Sequence, residues 1–592
     1  MKKRLLLIAI AACLLAGAFW YIFSQQIIPP DAELGQPTPL NNWHAAFHSD
    51  KEFYGDLSRA VASDVGGQKI YGGIVSHHFL IAKEIANFFA TLKNQSPEVI
   101  IIVGPNHFNV GDGDILVSNY PFKTPWGEVR PEQNIIAELL QNQAARQDED
   151  PFSREHSVSA LVGFVKYYFP DTKIVPLIVK RNTSQAKIEK LARALNEVLP
   201  KSAVVVASVD FSHHLDGTAA QFHDQKSVSA INNFDYPLIF ESEIDSPPAI
   251  ATLLKYLERR GAQRLVYKNI NSADFTNNPD ADDVTSYVFA HFLKGAVQAD
   301  DKISVLSFGD MMLGRAVAES MASGTDPFEH IRGPEGNFLK GVDFISANLE
   351  GPITLNDDCA AKAYSFKFKP EIAKLIAQHG FNLVNLANNH AGDCRLKGLE
   401  DTKYYLAQNG IDFFGQAGAA NSYVEKEING QKIIFMGIDV TLHSDNLEPY
   451  YELIKQIKKS DNRVLVNIHW GFEYHDNPSQ NQKLIAHALI DSGADLIIGH
   501  HPHVTQPAEI YKNKAIFYSL GNFIFDQIGQ KTNEGMGVGA VFSQKEIQYF
   551  LFPYQIKNFQ PTLLTPERAT TACAEYLSAV QPHDGCYFVT TP

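Results

Sequence analysis

Carboxylates, carboxamides and histidines recur in five tight groups along the carboxy-terminal half of the sequence: Asp310; Glu350; Asn388-Asn389-His390; His469; and His500-His501-Pro502-His503. Each group follows an apolar run of strand-like composition, at residues 303–308, 342–347, 381–386, 463–468 and 495–498. Open α/β sheets collect ligands beyond the carboxyl ends of their strands, so the five groups are expected to converge. Carboxylate, amide oxygen and imidazole together form the donor set of first-row divalent ions such as Mn²⁺, Fe²⁺ or Zn²⁺. A pair of such ions lowers the pKa of a bridging water and clamps the group it attacks, which is hydrolytic chemistry. Taken singly, an Asp after a strand is a turn or helix-cap residue and a lone His is structural. Five groups in register after five strands carry the metal reading.

A sparser set lies in the amino-terminal half. His77-His78 comes first, then Gly104-Pro105-Asn106-His107 behind the run 99–103. Glu155-His156-Ser157 opens a helix, and Asp210-Phe211-Ser212-His213-His214 follows the run 203–207. Histidines after two separate strands, with another near a preceding strand, suggest one further metal. The competing reading is histidines bonded to loop backbone.

The elements that must position these groups alternate in type. Strand-like runs at 99–103, 174–179 and 203–207 are interleaved with helical patterns at 80–92, 158–168 and 186–198. The second half repeats the style, with further runs at 432–437 and 515–518 and helical stretches at 371–379, 399–409 and 482–492. Such alternation implies largely parallel sheets covered on both faces. The expected organisation is a membrane anchor or signal (1–24), a Pro-containing spacer (25–44), one α/β domain (45–298), a second (302–563) and a loop-like tail (564–592).

At 592 residues the chain is too long for one ordinary core. Its 45% hydrophobic and 20% charged content is globular, and a net charge of −15 excludes a nucleic-acid partner, which needs a basic face. Lys2, Lys3 and Arg4 precede an unbroken apolar run at 5–23, about the length of a transmembrane helix. Basic residues before it favour a cytoplasmic N-terminus, with the cytoplasmic membrane as partner and the bulk extracytoplasmic. Alternatives are a cleaved signal or a lipoprotein through Cys13, since Ile10-Ala11-Ala12-Cys13 has the pattern of a lipobox. Cys359 with Cys394, and Cys573 with Cys586, are two sequence-local groups that an oxidising compartment would pair; four free thiols are the alternative.

Phe308-Gly309-Asp310, Asn348-Leu349-Glu350-Gly351-Pro352, Leu386-Ala387-Asn388-Asn389-His390, His469-Trp470-Gly471 with Glu473, Gly499-His500-His501-Pro502-His503 and Tyr518-Ser519-Leu520-Gly521-Asn522-Phe523 occur in order. Together, over about residues 302–547, they resemble the successive motifs of the CapA family of capsule and poly-γ-glutamate synthesis proteins, relatives of calcineurin-like metallophosphoesterases. That resemblance implies a sandwich of two sheets flanked by helices. It implies metal ligation by Asp310, Glu350, Asn389, His469, His500 and His503, with His501 as a substitute for His500. His390 would be the general acid or leaving-group stabiliser, a role imidazole fills near neutral pH, with Asn389 beside it as the second catalytic candidate. Two positions depart from the phosphoesterase pattern. Met312 stands where an Asp-x-His pair would place its His, and Glu350 stands where an Asp is usual. Amide hydrolysis or transfer on a γ-glutamyl polymer is therefore an alternative to phosphate-ester cleavage.

The amino-terminal segments, with Val75-Ser76-His77 at their head and a late stretch from Tyr267 to Tyr287, resemble the Memo family over about residues 45–295. This family, protein B of the AmmeMemoRadiSam system, is similar in fold to non-haem-iron extradiol dioxygenases. The resemblance implies His77, His107 and His213 as ligands of a single iron, zinc or copper ion. Asp245 occupies the place of a Cys common in the family, which moves the preference from copper towards iron, manganese or zinc.

The expected fold class is thus α/β: a Memo-like domain followed by a metallophosphoesterase-like sandwich, with an N-terminal transmembrane helix. The expected function is a metal-dependent hydrolase of capsule, poly-γ-glutamate or other envelope polymer, acting on an anionic exopolymer or with its synthase complex. The rivals are a metal-binding scaffold that turns nothing over, and small-molecule oxidation by the Memo-like half.

Overall fold

The computed structural model describes residues 42–276, 283–333, 336–416, 423–441, 446–580 and 584–591. In the amino-terminal half, β1 (Ile70–Val75), β2 (Val99–Pro105), β3 (Ile115–Val117), β4 (Arg146–Gln147), β5 (Lys173–Val179), β6 (Val204–Ser208), β7 (Arg264–Asn271) and β8 (Ser286–Leu293) form one sheet in the order β7-β8-β1-β6-β2-β5-β3-β4. The central β1, β6, β2 and β5 run parallel, and β8 and β3 flank them antiparallel. The central strands are apolar throughout because both sheet faces are covered. Helices α1 (Ala82–Leu92), α2 (Gln185–Val198), α3 (Gly217–Asn233) and α4 (Pro247–Arg260) supply that cover, and separate apolar clusters fill the two sides.

The carboxy-terminal half is two stacked sheets. The first contains β9 (Ile303–Met311), β10 (Phe344–Leu349), β11 (Leu383–Asn385) and β12 (Asp412–Phe414), all parallel. The second contains β13 (Tyr423–Ile428), β14 (Gln431–Asp439), β15 (Asn462–His469), β16 (Leu496–His500), β17 (Thr505–Tyr511) and β18 (Lys514–Leu520), in the order β13-β14-β15-β16-β18-β17. Short β19 (Asn522–Ile524) pairs with β9. The first sheet continues antiparallel from β9 through β20 (Glu534–Phe542), β21 (Ile547–Lys557) and β22 (Gln560–Leu563). Side chains such as Val305, Phe344, Phe435, Leu465, Ile498 and Phe517 fill the space between the sheets. Helices α5 (Glu371–Gln378), α6 (Arg395–Gln408), α7 (Glu448–Ile457) and α8 (Gln480–Ser492) lie outside them.

Two expectations change and one is met. Among the described residues no helix is long and apolar enough to cross a membrane. The longest, α3, has 17 residues and carries His223, Asp224 and Lys226, whereas a span needs about 20 apolar ones. The apolar run 5–23 and Cys13 lie outside the described residues, and the fold class is corrected to mixed α/β with no transmembrane helix among the described residues. Residues 564–592 are also not simply loop. They contain α9 (Pro566–Tyr576) and β23 (Tyr587–Thr590), which pairs with β21. The expected pairing of the cysteines is present, as Cys359–Cys394 and Cys573–Cys586 bonds, in place of four free thiols.

Residues 45–592 cluster as one unit, because the two halves share a buried seam. Phe222 of α3 packs against Phe550 and Phe552 of β21, with ring centroids 5.4 and 5.6 Å apart. Lys226 pairs with Asp343 at 2.7 Å, both side chains buried.

Candidate metal centres

Parallel pairing aligns the ends of the carboxy-terminal strands. Asp310 sits opposite Asn348, Asn348 opposite Asn385, and His469 opposite His500. This register is why residues scattered over 190 positions arrive at one level. Asp310, Glu350 and His469 are wholly buried there.

Asn348 is the hub. Its amide nitrogen donates to Asp310 Oδ1 at 2.8 Å and Glu350 Oε1 at 3.2 Å, and lies 3.2 Å from His469 Nδ1. Its oxygen accepts from Asn385 at 3.0 Å and Asn388 at 3.1 Å. Asp310 Oδ2 is 3.0 Å from His503 Nδ1 and accepts the His501 backbone N–H at 3.3 Å, while Oδ1 is 3.6 Å from His500 Nδ1. Asn389 Oδ1 lies 3.0 Å from His469 Nε2. The turn after β16 aims three imidazoles at this point by holding His501 at φ 96° and His503 at φ 58°. Left-handed backbone at residues other than glycine is a strain of about 1–3 kcal/mol each, tolerated where surrounding structure enforces it.

Donor atoms gather in two groups, each within 4.8 Å: Asp310, Glu350 and His469, and Glu473, His501 and His503. Glu350 Oε2, His500 Nδ1 and His501 Nδ1 are buried without a hydrogen-bond partner. Orphaned buried polar atoms are costly, and a cation among them would satisfy them, so the donor set fits a divalent metal. The electrostatics agree. Burial opposes ionisation of Asp310, but His503, His500 and His469 outweigh it and hold the carboxyl far below its usual range. Burial and the Asp310 charge push Glu350 well above its own. Burial keeps His500 and His501 neutral, with pKa near 4, and drives His469 well below the usual histidine value; neutral imidazole is the metal-binding form.

His390 stands beside these groups in a different role. Its Nδ1 lies 2.9 Å from Asp393 Oδ2, and Phe366 stacks on its ring at 4.1 Å. Asp393, almost wholly buried, also accepts the Phe366 N–H at 2.7 Å and pairs with Lys362 at 2.5 Å. The Cys359–Cys394 bond ties the Lys362 loop to the residue next to Asp393. Met312 is buried, its sulfur accepting the Gly314 N–H at 3.1 Å, so the position of the absent histidine belongs to the core.

The amino-terminal cluster forms beyond β1, β2 and β6. His77 Nε2 is 3.5 Å from Asp210 and 3.7 Å from Asp245, and His107 Nε2 is 3.7 Å from the same Asp245 oxygen. The groups of converging donors are His77, His107 and His156, and His77, Asp210 and Asp245. Asp210 Oδ1 and both Asp245 oxygens are buried without partners, which again fits a cation. Glu155 caps the helix at His156 by accepting the His156 and Ser157 N–H groups, and is 2.8 Å from His107 Nδ1. Despite burial, that contact draws the Glu155 carboxyl down to about 2; despite its own burial, His107 rises to about 10 through Asp245 and Glu155. Burial, then the charges of His77 and His107, lowers His156 to about 3.

Of the residues singled out in the sequence, Asp310, Glu350, Asn389, His469, His500, His501 and His503 are gathered in one place, and His77, His107 and Asp245 in another. His213 is outside the converging donors; it lines the neighbouring cavity, its backbone N–H bound to Glu243 at 3.0 Å. Asn348, Glu473, Asp393, His156 and Asp210 were not singled out as site residues. Each lies inside one of the sequence motifs or within three positions of it, so proximity to the motif is the available signal.

The family described as bacterial capsule synthesis protein PGA_cap matches residues 304–527, and Memo-like protein matches residues 73–287. The chain is 35% identical over 262 residues to the capsule biosynthesis protein CapA of Bacillus anthracis, covering 40% of this chain and 62% of that protein. It is 32% identical over 296 residues to the PGA biosynthesis protein CapA of Bacillus subtilis, covering 46% and 74%. Its other half is 32% identical over 185 residues to a MEMO1 family protein of Pyrobaculum aerophilum, covering 30% and 65%. Both resemblances drawn from the motifs are met by these matches.

Proposed function

This chain belongs to the bacterial CapA capsule-synthesis family, and from that premise we propose that its carboxy-terminal half is a metal-dependent hydrolase of an envelope polymer. Poly-γ-glutamate or another anionic exopolymer is the substrate class, its synthase complex the partner, and the cell envelope the site of action. The observation that carries the reading is the pairing of two donor groups with one histidine held by a carboxylate. Divalent ions of the Mn²⁺, Fe²⁺ or Zn²⁺ class would be held by Asp310, Glu350, Asn389 and His469 and by Glu473, His501 and His503, with His500 beside Asp310. When bound, such ions activate water and polarise the attacked group. The chain's own residues do the rest. Asn348 fixes both carboxylates and His469, the left-handed turn fixes His501 and His503, and Asp393 orients His390 so that Nε2 can donate a proton to the leaving group. The amino-terminal half is a metal-binding domain whose cluster takes one iron, manganese, zinc or copper ion.

Purified protein with Mn²⁺ is expected to hydrolyse a generic phosphodiester or a γ-glutamyl polymer, and His390→Ala to abolish this with metal content intact. An inactive wild-type protein with full metal content would sink the reading. It would favour a metal-binding scaffold, the alternative supported by Met312 buried where a ligand histidine is usual.

A further inference from the structure

The amino-terminal cluster opens onto a cavity of about 350 Å³ that both halves of the chain enclose. His107, Asp245, His213, Arg181 and Asn182 line it from one half, and Asn337 from the other. Asn337 is buried, and its amide donates to Glu243 Oε1 at 2.9 Å. The same Glu243 oxygen accepts the His213 N–H, and its second oxygen is 3.1 Å from His223 Nδ1. The far side of the His223 ring donates to the Phe338 carbonyl at 2.9 Å. Glu243 lies two residues before Asp245, so a loop of the carboxy-terminal half buttresses the backbone that carries a donor of the amino-terminal cluster.

The lining indicates what the cavity takes. About 350 Å³ is near the small end of ligand pockets, enough for a small molecule and not for a polymer strand. Glu243 is consumed by its three donors, and Asp245 faces the cluster, where a cation would neutralise it. The rest of the polar lining is Asn106, Asn109, Arg181, Asn182, His213 and His214, of which Asn106 bonds within its own loop and His214 pairs with Asp283. Arg181 is exposed and pairs with no carboxylate among the described residues. A guanidinium presents parallel N–H groups that match a carboxylate or phosphate.

We propose that this cavity binds a small oxyanion, a carboxylate or a phosphate, against the amino-terminal metal. Arg181 supplies the counter-charge, and Asn337 of the other half acts as a positioning residue. The inference rests on the reading of the cluster as a metal site, so metal content is measured first, on the full chain and on His107→Ala. A full chain with no more zinc than His107→Ala would remove that reading and the proposal with it. With zinc in place, isothermal titration is run with the carboxy-terminal centre disabled by Asp310→Asn and Glu473→Gln in every sample, so that phosphate cannot bind there, and uses succinate, its neutral diamide and inorganic phosphate. Succinate or phosphate is expected to bind once per chain, whichever binds tighter naming the source, and the diamide not to bind. Arg181→Ala should weaken binding by about tenfold or more with zinc unchanged, since hydrogen bonds to charged groups are worth that much. Arg181→Lys should recover part of it. Asn337→Ala should weaken anion binding and zinc retention together, which a residue of merely local packing would not do. Absence of binding at millimolar concentration, binding indifferent to Arg181→Ala, or binding that persists in His107→Ala would each overturn the proposal.

Discussion

Replacing Asp393 by Asn separates a proton-donating His390 from one that is only packed beside the cleft. In the native chain Asp393 Oδ2 lies 2.9 Å from His390 Nδ1 and accepts the Phe366 N–H at 2.7 Å. Asn has the same shape and keeps an acceptor for Phe366, so folding should survive, whereas Ala would orphan that N–H at a further cost of about 1–3 kcal/mol. What Asn removes is the charge that holds the ring with Nε2 turned to the substrate. A hydrogen bond to a charged group contributes about 1.5–3 kcal/mol, equivalent to about 10- to 150-fold in kcat when it acts only in the transition state. KM should be little changed. The assay is Mn²⁺-dependent hydrolysis of paired phosphodiesters, one with a p-nitrophenyl and one with a phenyl leaving group, metal content being measured on the same samples. The poorer leaving group needs the proton more, so its loss should be the larger. Equal losses for both substrates, or metal content falling in step with activity, would refute the role given to His390 and Asp393.

Glu473→Gln should cost the carboxy-terminal half one of two divalent ions, because it breaks the Glu473–His501–His503 group and spares Asp310–Glu350–His469; elemental analysis in a His107→Ala background that still finds two ions would contradict this. Asp224 is fully buried, and desolvation raises its carboxyl to about 7 despite hydrogen bonds from Ser286 and Asn269. A carboxyl raised in the folded state binds its proton more tightly there, so its stabilising contribution is complete below about pH 4 and lost as pH climbs to about 7. Asp224→Asn should therefore raise the melting temperature at pH 8 more than at pH 5, the gain in stability being larger by about 3 kcal/mol, and an equal shift at both pH values would exclude it. The Cys359–Cys394 bond spans 35 positions and Cys573–Cys586 spans 13. Chain-entropy reasoning gives losses of about 4 and about 3 kcal/mol for their double-Ser variants. Only the first pair should also lower activity, since it alone ties the Lys362 loop beside Asp393.

What was legible in the sequence was whatever local pattern encodes. The fully buried parallel strands are near-continuous apolar runs, and those at 99–105, 303–311 and 462–469 were readable for that reason. Residues immediately after such runs were readable as donors. Strands β20 and β21 were missed because their apolar residues are broken by Gly535, Gly537 and Gly539 and by Pro553. The glycines are there for space: a side chain at 539 would meet Phe222 and Phe552 at 3.0 Å. In sequence His156 only opens a helix, yet its ring stacks on His107 at 4.5 Å, a convergence that no sequence spacing conveys. Asp210 has the same explanation, sitting after β6 but meeting His77, which follows β1.

The seam between the halves was not legible at all, and α3 shows why. An amphipathic surface helix exposes a polar face, so its pattern separates inside from outside. On α3, Phe222 faces the carboxy-terminal core while Val228 and Ile231 face the amino-terminal one, and His223, Asp224 and Lys226 are buried between them. Each of those polar groups is paired: His223 with Glu243 and the Phe338 carbonyl, Asp224 with Ser286 and Asn269, Lys226 with Asp343. In sequence they have the composition of a solvated helix face, because burial of a charge leaves no local mark when its partner lies on another element, 20 residues away for His223–Glu243 and 117 for Lys226–Asp343. Breaking such a pair by removing one partner costs about 3–5 kcal/mol. Asp343→Ala, which strands Lys226, should therefore destabilise both halves in one transition. Two separate transitions, with the amino-terminal one unmoved, would show that the seam couples nothing.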